Sequence, residues 1–167
     1  MKKTISYWSP HISKVATIKA VYNSAISLNY FSKERFKPEI LDAFGEWEKF
    51  YNKNSKDFIK FHRLTKFSFL HKLSSEGFVL SRLKYIIIFL IFFFPLKKYL
   101  ENKKPEYLLI HLITSLPLFL NLIFKFESRI ILRISGKPKM NFIRRIFWKF
   151  ALKKVYKITF PTYETLN

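Results

Sequence analysis

Short, apolar, β-prone runs alternate with longer helix-like stretches along this chain, and that alternation constrains the fold more than any other feature. Its clearest unit joins Ile130, Ile131 and Leu132 to a basic amphipathic segment at 141–148 through Arg133-Ile-Ser-Gly-Lys-Pro-Lys139. A strand that feeds a helix through a short polar turn, several times over, reads as βαβ units on a parallel sheet.

The pattern starts at residue 4. Residues 4–8 alternate and are β-prone, and Ser9-Pro10 punctuates them. From Val15 to Phe31, apolar side chains fall at Val15, Ile18, Val21, Tyr22, Ala25, Ile26 and Leu28, the stripe of one helical face. Lys37-Pro38 breaks this run, and 39–44 reads as a second strand ending in Gly45-Glu46-Trp47. Residues 48–65 are polar and basic and read as helix or loop, with a third strand at 67–70. A helical stretch at 81–100 follows, interrupted by Pro95. Residues 107–112 form a continuous apolar run, of the kind buried on both faces of a parallel sheet. The remainder reads as helix 114–126, strand 129–134, helix 141–156 and strand 157–162. The expected class is α/β, a Rossmann-like parallel sheet flanked by helices, with all 167 residues in one domain.

Lys and Arg number 31 against 11 acids, a formal charge of +20, so an anionic neighbour is expected. With aromatics at 19% of the residues, that charge fits a membrane surface better than nucleic acid, for which no recognition motif is present. There is no cysteine, which excludes disulfides and thiolate metal sites. No metal-ligand set, Ser/His/Asp constellation, Walker A pattern or dinucleotide fingerprint can be assembled. Met-Lys-Lys begins like a secretory n-region, but no apolar core follows, and a cytoplasmic location is the default.

Two segments raise the question of membrane spans. Residues 85–94 are ten apolar residues, short of the roughly 20 a spanning helix needs. Residues 107–124 carry no formal charge but contain His111, Thr114, Ser115, Pro117 and Asn121. A small non-enzymatic membrane protein with spans near 83–100 and 107–124 is therefore the alternative reading. Between the extremes lies a peripheral surface, with Lys84, Lys97 and Lys98 on one helix and Arg144, Arg145, Lys149 and Lys153 on another meeting headgroups.

In order and spacing, these motifs resemble the N-terminal, acceptor-side half of GT-B glycosyltransferases, specifically glycosyltransferase family 4. The matching pieces are Ile5-Ser-Tyr-Trp-Ser-Pro-His-Ile-Ser13, Asp42-Ala-Phe-Gly-Glu-Trp47, Lys104-Pro-Glu-Tyr-Leu-Leu-Ile-His111, Arg133-Ile-Ser-Gly136 and Lys157-Ile-Thr-Phe-Pro-Thr-Tyr-Glu-Thr165. Unlike many members, the chain has no glycine in the turn Ser9-Pro10-His11-Ile12-Ser13 and no paired-glutamate motif.

The resemblance implies transfer of a sugar from a nucleotide-sugar to a lipid-linked or cell-surface glycan, with retention of configuration, at the inner face of the cell membrane. It places His111, the catalytic candidate, near the donor sugar in an interdomain cleft. His11, Ser13, Glu46, Trp47, Ser135, Gly136 and Lys137 are the acceptor-binding candidates. Read from the residues alone, Glu46 and Glu48 also fit helix N-terminal charges, and His62 and His71 fit solvated positions. The nucleotide-sugar would belong to a second domain not seen in this sequence, supplied in cis or by a separate chain. No cofactor is expected on these residues themselves, and the half alone is expected to be inactive.

Overall fold

The computed structural model describes residues 2–11, 16–51, 59–66, 78–111, 114–134 and 141–160. Strand and helix alternate through all of them: β1 Lys3–Trp8, α1 Ala16–Phe31, β2 Phe36–Asp42, α2 Glu48–Tyr51, β3 Lys60–Arg63, α3 Phe78–Lys103, β4 Tyr107–Ile110, α4 Ser115–Phe124, β5 Arg129–Arg133, α5 Phe142–Ala151 and β6 Lys157–Thr159. The six strands form one parallel sheet in the order β3-β2-β1-β4-β5-β6. This is the expected α/β, Rossmann-like architecture, with the winding direction reversing between β1 and β4.

Side-chain parity in the strands divides the core into two layers. Trp8, Leu41, Leu108, Ile110, Ile130 and Leu132 pack with Ile88, Phe92, Leu96 and Leu100 of α3, Leu116 and Leu120 of α4, and Ala151 of α5. On the opposite face, Ile5, Tyr7 and Ile40 pack with Ile18, Val21 and Ala25 of α1 and with Trp47. Strand β4 reads as uniformly apolar because the central strands are covered on both faces.

Three expectations are corrected. Pro38 does not end an element; it lies inside β2, opposite Ile5 of β1. The β2–β3 ladder begins only at Glu39, so at Pro38 that side of β2 is still an edge and needs no N–H donor. The stretch at 48–65 contains both a short helix and strand β3, whose polar Lys60 and Arg63 suit an edge position. Segment 67–70, expected as the third strand, lies outside the described residues. The two membrane spans do not form: residues 107–124 divide into β4 and α4, and no helix among the described residues is long and apolar enough to cross a membrane.

Helix α3 shows what its apolar run does instead. Lys84, Ile88, Phe92, Leu96, Tyr99 and Leu100 form the buried face, while Leu83, Ile86, Leu90 and Phe94 line the opposite, exposed one. Near its end the Tyr99 hydroxyl donates to Glu39 Oε2 at 2.6 Å and accepts from Ser6 Oγ at 2.7 Å, both on the sheet. The two faces predict different responses to truncation. Ile88→Ala is expected to cost about 2–5 kcal/mol of unfolding free energy. Leu90→Ala is expected to stay within about 0.5 kcal/mol. Urea denaturation of both variants checks the orientation, and equal costs would contradict it.

Candidate functional site at the carboxyl edge of the sheet

In an open parallel sheet the helices begin where the strands end, and the crevice at the reversal of strand order is where ligands bind. Here that crevice lies between the ends of β1 and β4. Ser9, Pro10 and His11 follow β1, and His111 follows β4. The His111 N–H donates to the Trp8 carbonyl at 3.0 Å, which extends the β1–β4 ladder to its end and fixes the histidine there. Arg133 closes β5, one residue beyond the Ile110–Leu132 register pair and therefore level with His111.

His111 is 5% exposed and its ring stacks on Tyr7 at a centroid distance of 6.3 Å. Burial, and then the Arg133 charge, hold its pKa down to about 4. A neutral imidazole at physiological pH offers one nitrogen as donor and the other as acceptor. Its Nε2 is buried with no hydrogen-bond partner among the described residues, and so is Ser9 Oγ. Tyr7 is pushed up by burial, against the lowering effects of a Ser24 hydrogen bond and the Arg133 charge. Arg133 therefore acts electrostatically on the residues either side of the crevice.

His11 is half-buried and meets the Trp47 ring edge-on at 4.9 Å. Trp47 itself is fully buried against Phe50 and Phe61, so its ring faces belong to the core in this structure. Glu46 is equally committed. Its carboxyl group accepts from the amides of Ala43 at 3.0 Å and Phe44 at 2.8 Å, folding back over the turn after β2. Burial, and then the neighbouring Asp42, push its pKa well up. The turn needs glycine at position 45, where φ is +98° and a Cβ would lie 2.5 Å from Arg63 Nη1. Asp42 accepts from the Gly45 amide at 2.6 Å and from the Tyr51 hydroxyl, while Arg63 donates to Glu48 at 2.7 Å. These carboxylates are engaged in holding the β2–α2 turn.

Of the other sequence candidates, Ser13, Ser135, Gly136 and Lys137 lie outside the described residues, as does His71. His62 differs from its expected solvated position. It is half-buried on β3, with Nδ1 at 3.5 Å from Glu39 Oε1 and its ring 4.7 Å from that of Tyr99. Lys84 is buried at 4% exposure, and Lys97 pairs with Glu101 at 2.8 Å and lies over the Phe124 ring. Lys98, Arg144, Arg145, Lys149 and Lys153 are exposed. Among the described residues no group of His, Asp and Glu is arranged to hold a metal. An open hollow of about 750 Å³ lined by Lys2, Lys3, Lys33, Glu34, Arg35 and Phe36 sits at the opposite, amino end of the sheet, away from this crevice.

Sequence reasoning did not select Tyr7, Ser9 or Arg133 as site residues. The usable signal was parity: residues 7, 9, 109, 111, 131 and 133 alternate onto one face once the strands are paired in parallel.

No protein-family model and no curated protein sequence matches this chain. Its fold is nevertheless shared with solved structures. TcCGT1 in complex with UDP superimposes with a TM-score of 0.59 at 12% identity, over 99% of this chain and 45% of that one. UGT73P12 from Glycyrrhiza uralensis, complexed with glycyrrhetinic acid 3-O-monoglucuronide, gives 0.51 at 10% identity, over 82% and 29%. CalG4, the calicheamicin glycosyltransferase, gives 0.49 at 11% identity, over 89% and 36%. The first two are GT-B glycosyltransferases, and at such identities the likeness to them is one of fold. The chain spans less than half the length of each.

The buried neutral His111 predicts a pH dependence of stability. In the unfolded chain the imidazole titrates near 6.5, and in the folded chain near 4, so the unfolded state takes up the proton first as pH falls. Its stabilising contribution is full above pH 6.5 and is lost between 6.5 and 4, roughly 3 kcal/mol in all. Urea midpoints at pH 7 and 4.5 are expected to differ less in His111→Gln than in wild type. An imidazole NMR titration centred near 6.5 would contradict the buried state.

Proposed function

We propose that this chain is the acceptor-binding half of a GT-B glycosyltransferase of the family 4 type. The complete enzyme moves a sugar from a nucleotide-sugar to a lipid-linked or cell-surface glycan. The observation that supports this reading best is the parallel 3-2-1-4-5-6 sheet carrying His11 and His111 at its reversal point, in a fold shared over 99% of the chain with a UDP-bound neighbour. On this reading the carboxyl edge forms one wall of a cleft, and a donor-binding domain, in cis or on a separate chain, forms the other.

The edge is built for positioning. Its neutral imidazole, hydroxyl and guanidinium groups orient an acceptor and meet developing negative charge, while the nearby carboxylates are engaged in the turn. The chain alone is expected to transfer no sugar. Supplemented with a donor-binding domain, it should do so, and His111→Ala should lower kcat/KM by about 100-fold. Sugar transfer by purified residues 1–167 alone would sink this reading.

A second part of the reading is peripheral attachment to an anionic membrane. It is supported by α5, where exposed Phe142, Ile143, Ile146 and Phe150 adjoin Arg145 and Lys149, with Lys153 in the helical turn just beyond. The protein is expected to sediment with phosphatidylglycerol vesicles at low salt and to be released by 0.5 M salt. Lys149→Ala with Lys153→Ala should weaken binding about 30-fold, near 1 kcal/mol per lysine. Equal binding to neutral phosphatidylcholine vesicles would contradict the electrostatic component.

A further inference from the structure

Two buried polar atoms without partners and a cation without an acid, among the described residues, converge on one row of the sheet. The ends of β1, β4 and β5 bring Ser9, His111 and Arg133 level with one another, beyond the register pairs Trp8–Ile110 and Ile110–Leu132. Ser9 is 1% exposed and His111 5%, and among the described residues neither Ser9 Oγ nor His111 Nε2 makes a hydrogen bond. Leaving such groups unsatisfied costs roughly 1–3 kcal/mol each, so native structures normally supply a partner. Arg63 and Arg129 have acidic partners, whereas Arg133 forms no ion pair with an acid among the described residues. Arg133 is half-buried, and its charge acts on both Tyr7 and His111. A neutral ligand would satisfy the hydroxyl and imidazole but leave the guanidinium uncompensated. A tetrahedral oxyanion satisfies all three, with a planar fork of N–H donors on one side and two single hydrogen bonds on the other.

We propose that Ser9, His111 and Arg133 form a binding site for a phosphate group of the acceptor, with Arg133 as the specificity-determining cation. The identity of the ligand as an acceptor rests on the function proposed above; the phosphate site itself rests on the row of residues.

The test is binding to the intact chain at 0.15 M salt, followed through the His111 imidazole resonances. Inorganic pyrophosphate and farnesyl monophosphate are the probes, and UDP is the competitor from the donor side. Both probes are expected to shift the His111 signals, and Arg133→Ala should weaken them about tenfold or more. Arg133→Lys, which keeps the charge but loses the planar fork, should bind more weakly than wild type yet more tightly than Arg133→Ala, and guards against a folding defect in the alanine variant. Lys2→Ala, at the opposite, amino end of the sheet, should leave phosphate binding unchanged. Unmoved His111 signals, or wild-type affinity in Arg133→Ala, would overturn the site. Binding of UDP tenfold tighter than pyrophosphate would overturn its assignment to the acceptor, since the uridine would then be recognised here. Failure of sugar transfer in a reconstituted enzyme would leave all of these binding results standing, so the two ideas fail separately.

Discussion

The hydroxyl of Tyr99, held between Ser6 of β1 and Glu39 of β2, ties the crossover helix to the sheet. Because Tyr99 donates to Glu39, Ser6 must donate to Tyr99, and the three groups form a directed chain. Strands β1, β2 and β3 step outward in one direction, so the polypeptide must return across them before β4 can pair with β1 from its other side. Parallel strands cannot be joined by a hairpin, and α3 makes that return. The surrounding contact is apolar, through Phe92, Leu96 and Leu100. Rotating or sliding α3 would preserve much of that packing but strand two or three buried polar atoms. A polar link in an apolar interface thus selects one seating of the helix over others of similar hydrophobic energy.

That seating determines where the crevice falls. With β4 placed beside β1, the Trp8 carbonyl receives the His111 amide, and Ser9 lies level with His111 at the two strand ends. The neighbouring β2–α2 turn contains acids that could in principle have served as general bases. Asp42 and Glu46 instead accept backbone amides, and Glu48 accepts from Arg63. The chemistry left at the reversal point is that of imidazole, hydroxyl and guanidinium groups.

Much of this arrangement was legible in the sequence because both signals on which it rests are local. Periodicity located α1, α3, β4, α4, β5 and α5 to within a few residues, and their alternation implied a parallel sheet. Pro38 misled because whether a strand tolerates proline depends on which side is paired, a tertiary fact. Strand β3 was hidden by its composition, since Lys60, His62 and Arg63 are acceptable only at an edge. The site divided in the same way. His11 and His111 were found because each follows an apolar run. Glu46 and Trp47 show the opposite case: a local motif revealed their position at a strand end but not that both side chains turn inward. Arg133 needed the register of three strands before its level with His111 and Ser9 could be seen.

The connectivity also relates the crevice to the outer surface. In a parallel α/β sheet each helix starts at the carboxyl edge and runs back toward the amino edge, so α5 begins at the end of the molecule that carries His111 and Arg133. Its first two residues, Phe142 and Ile143, are 78% and 77% exposed, and Arg144 and Arg145 follow directly. Helix α3 starts at the same edge and carries its exposed row of Leu83, Ile86, Leu90 and Phe94 on the same side of the sheet as α5. Isolated exposed apolar residues need no explanation, but two helices of one layer presenting them beside arginine and lysine do. On the proposed function, a lipid surface meeting the start of α5 would lie beside the crevice rather than across the molecule from it. An acceptor anchored in that surface could then present its phosphate to the sheet edge without leaving the membrane, which gives the opening of the crevice and the basic helix a common physical reason to share one end of the fold.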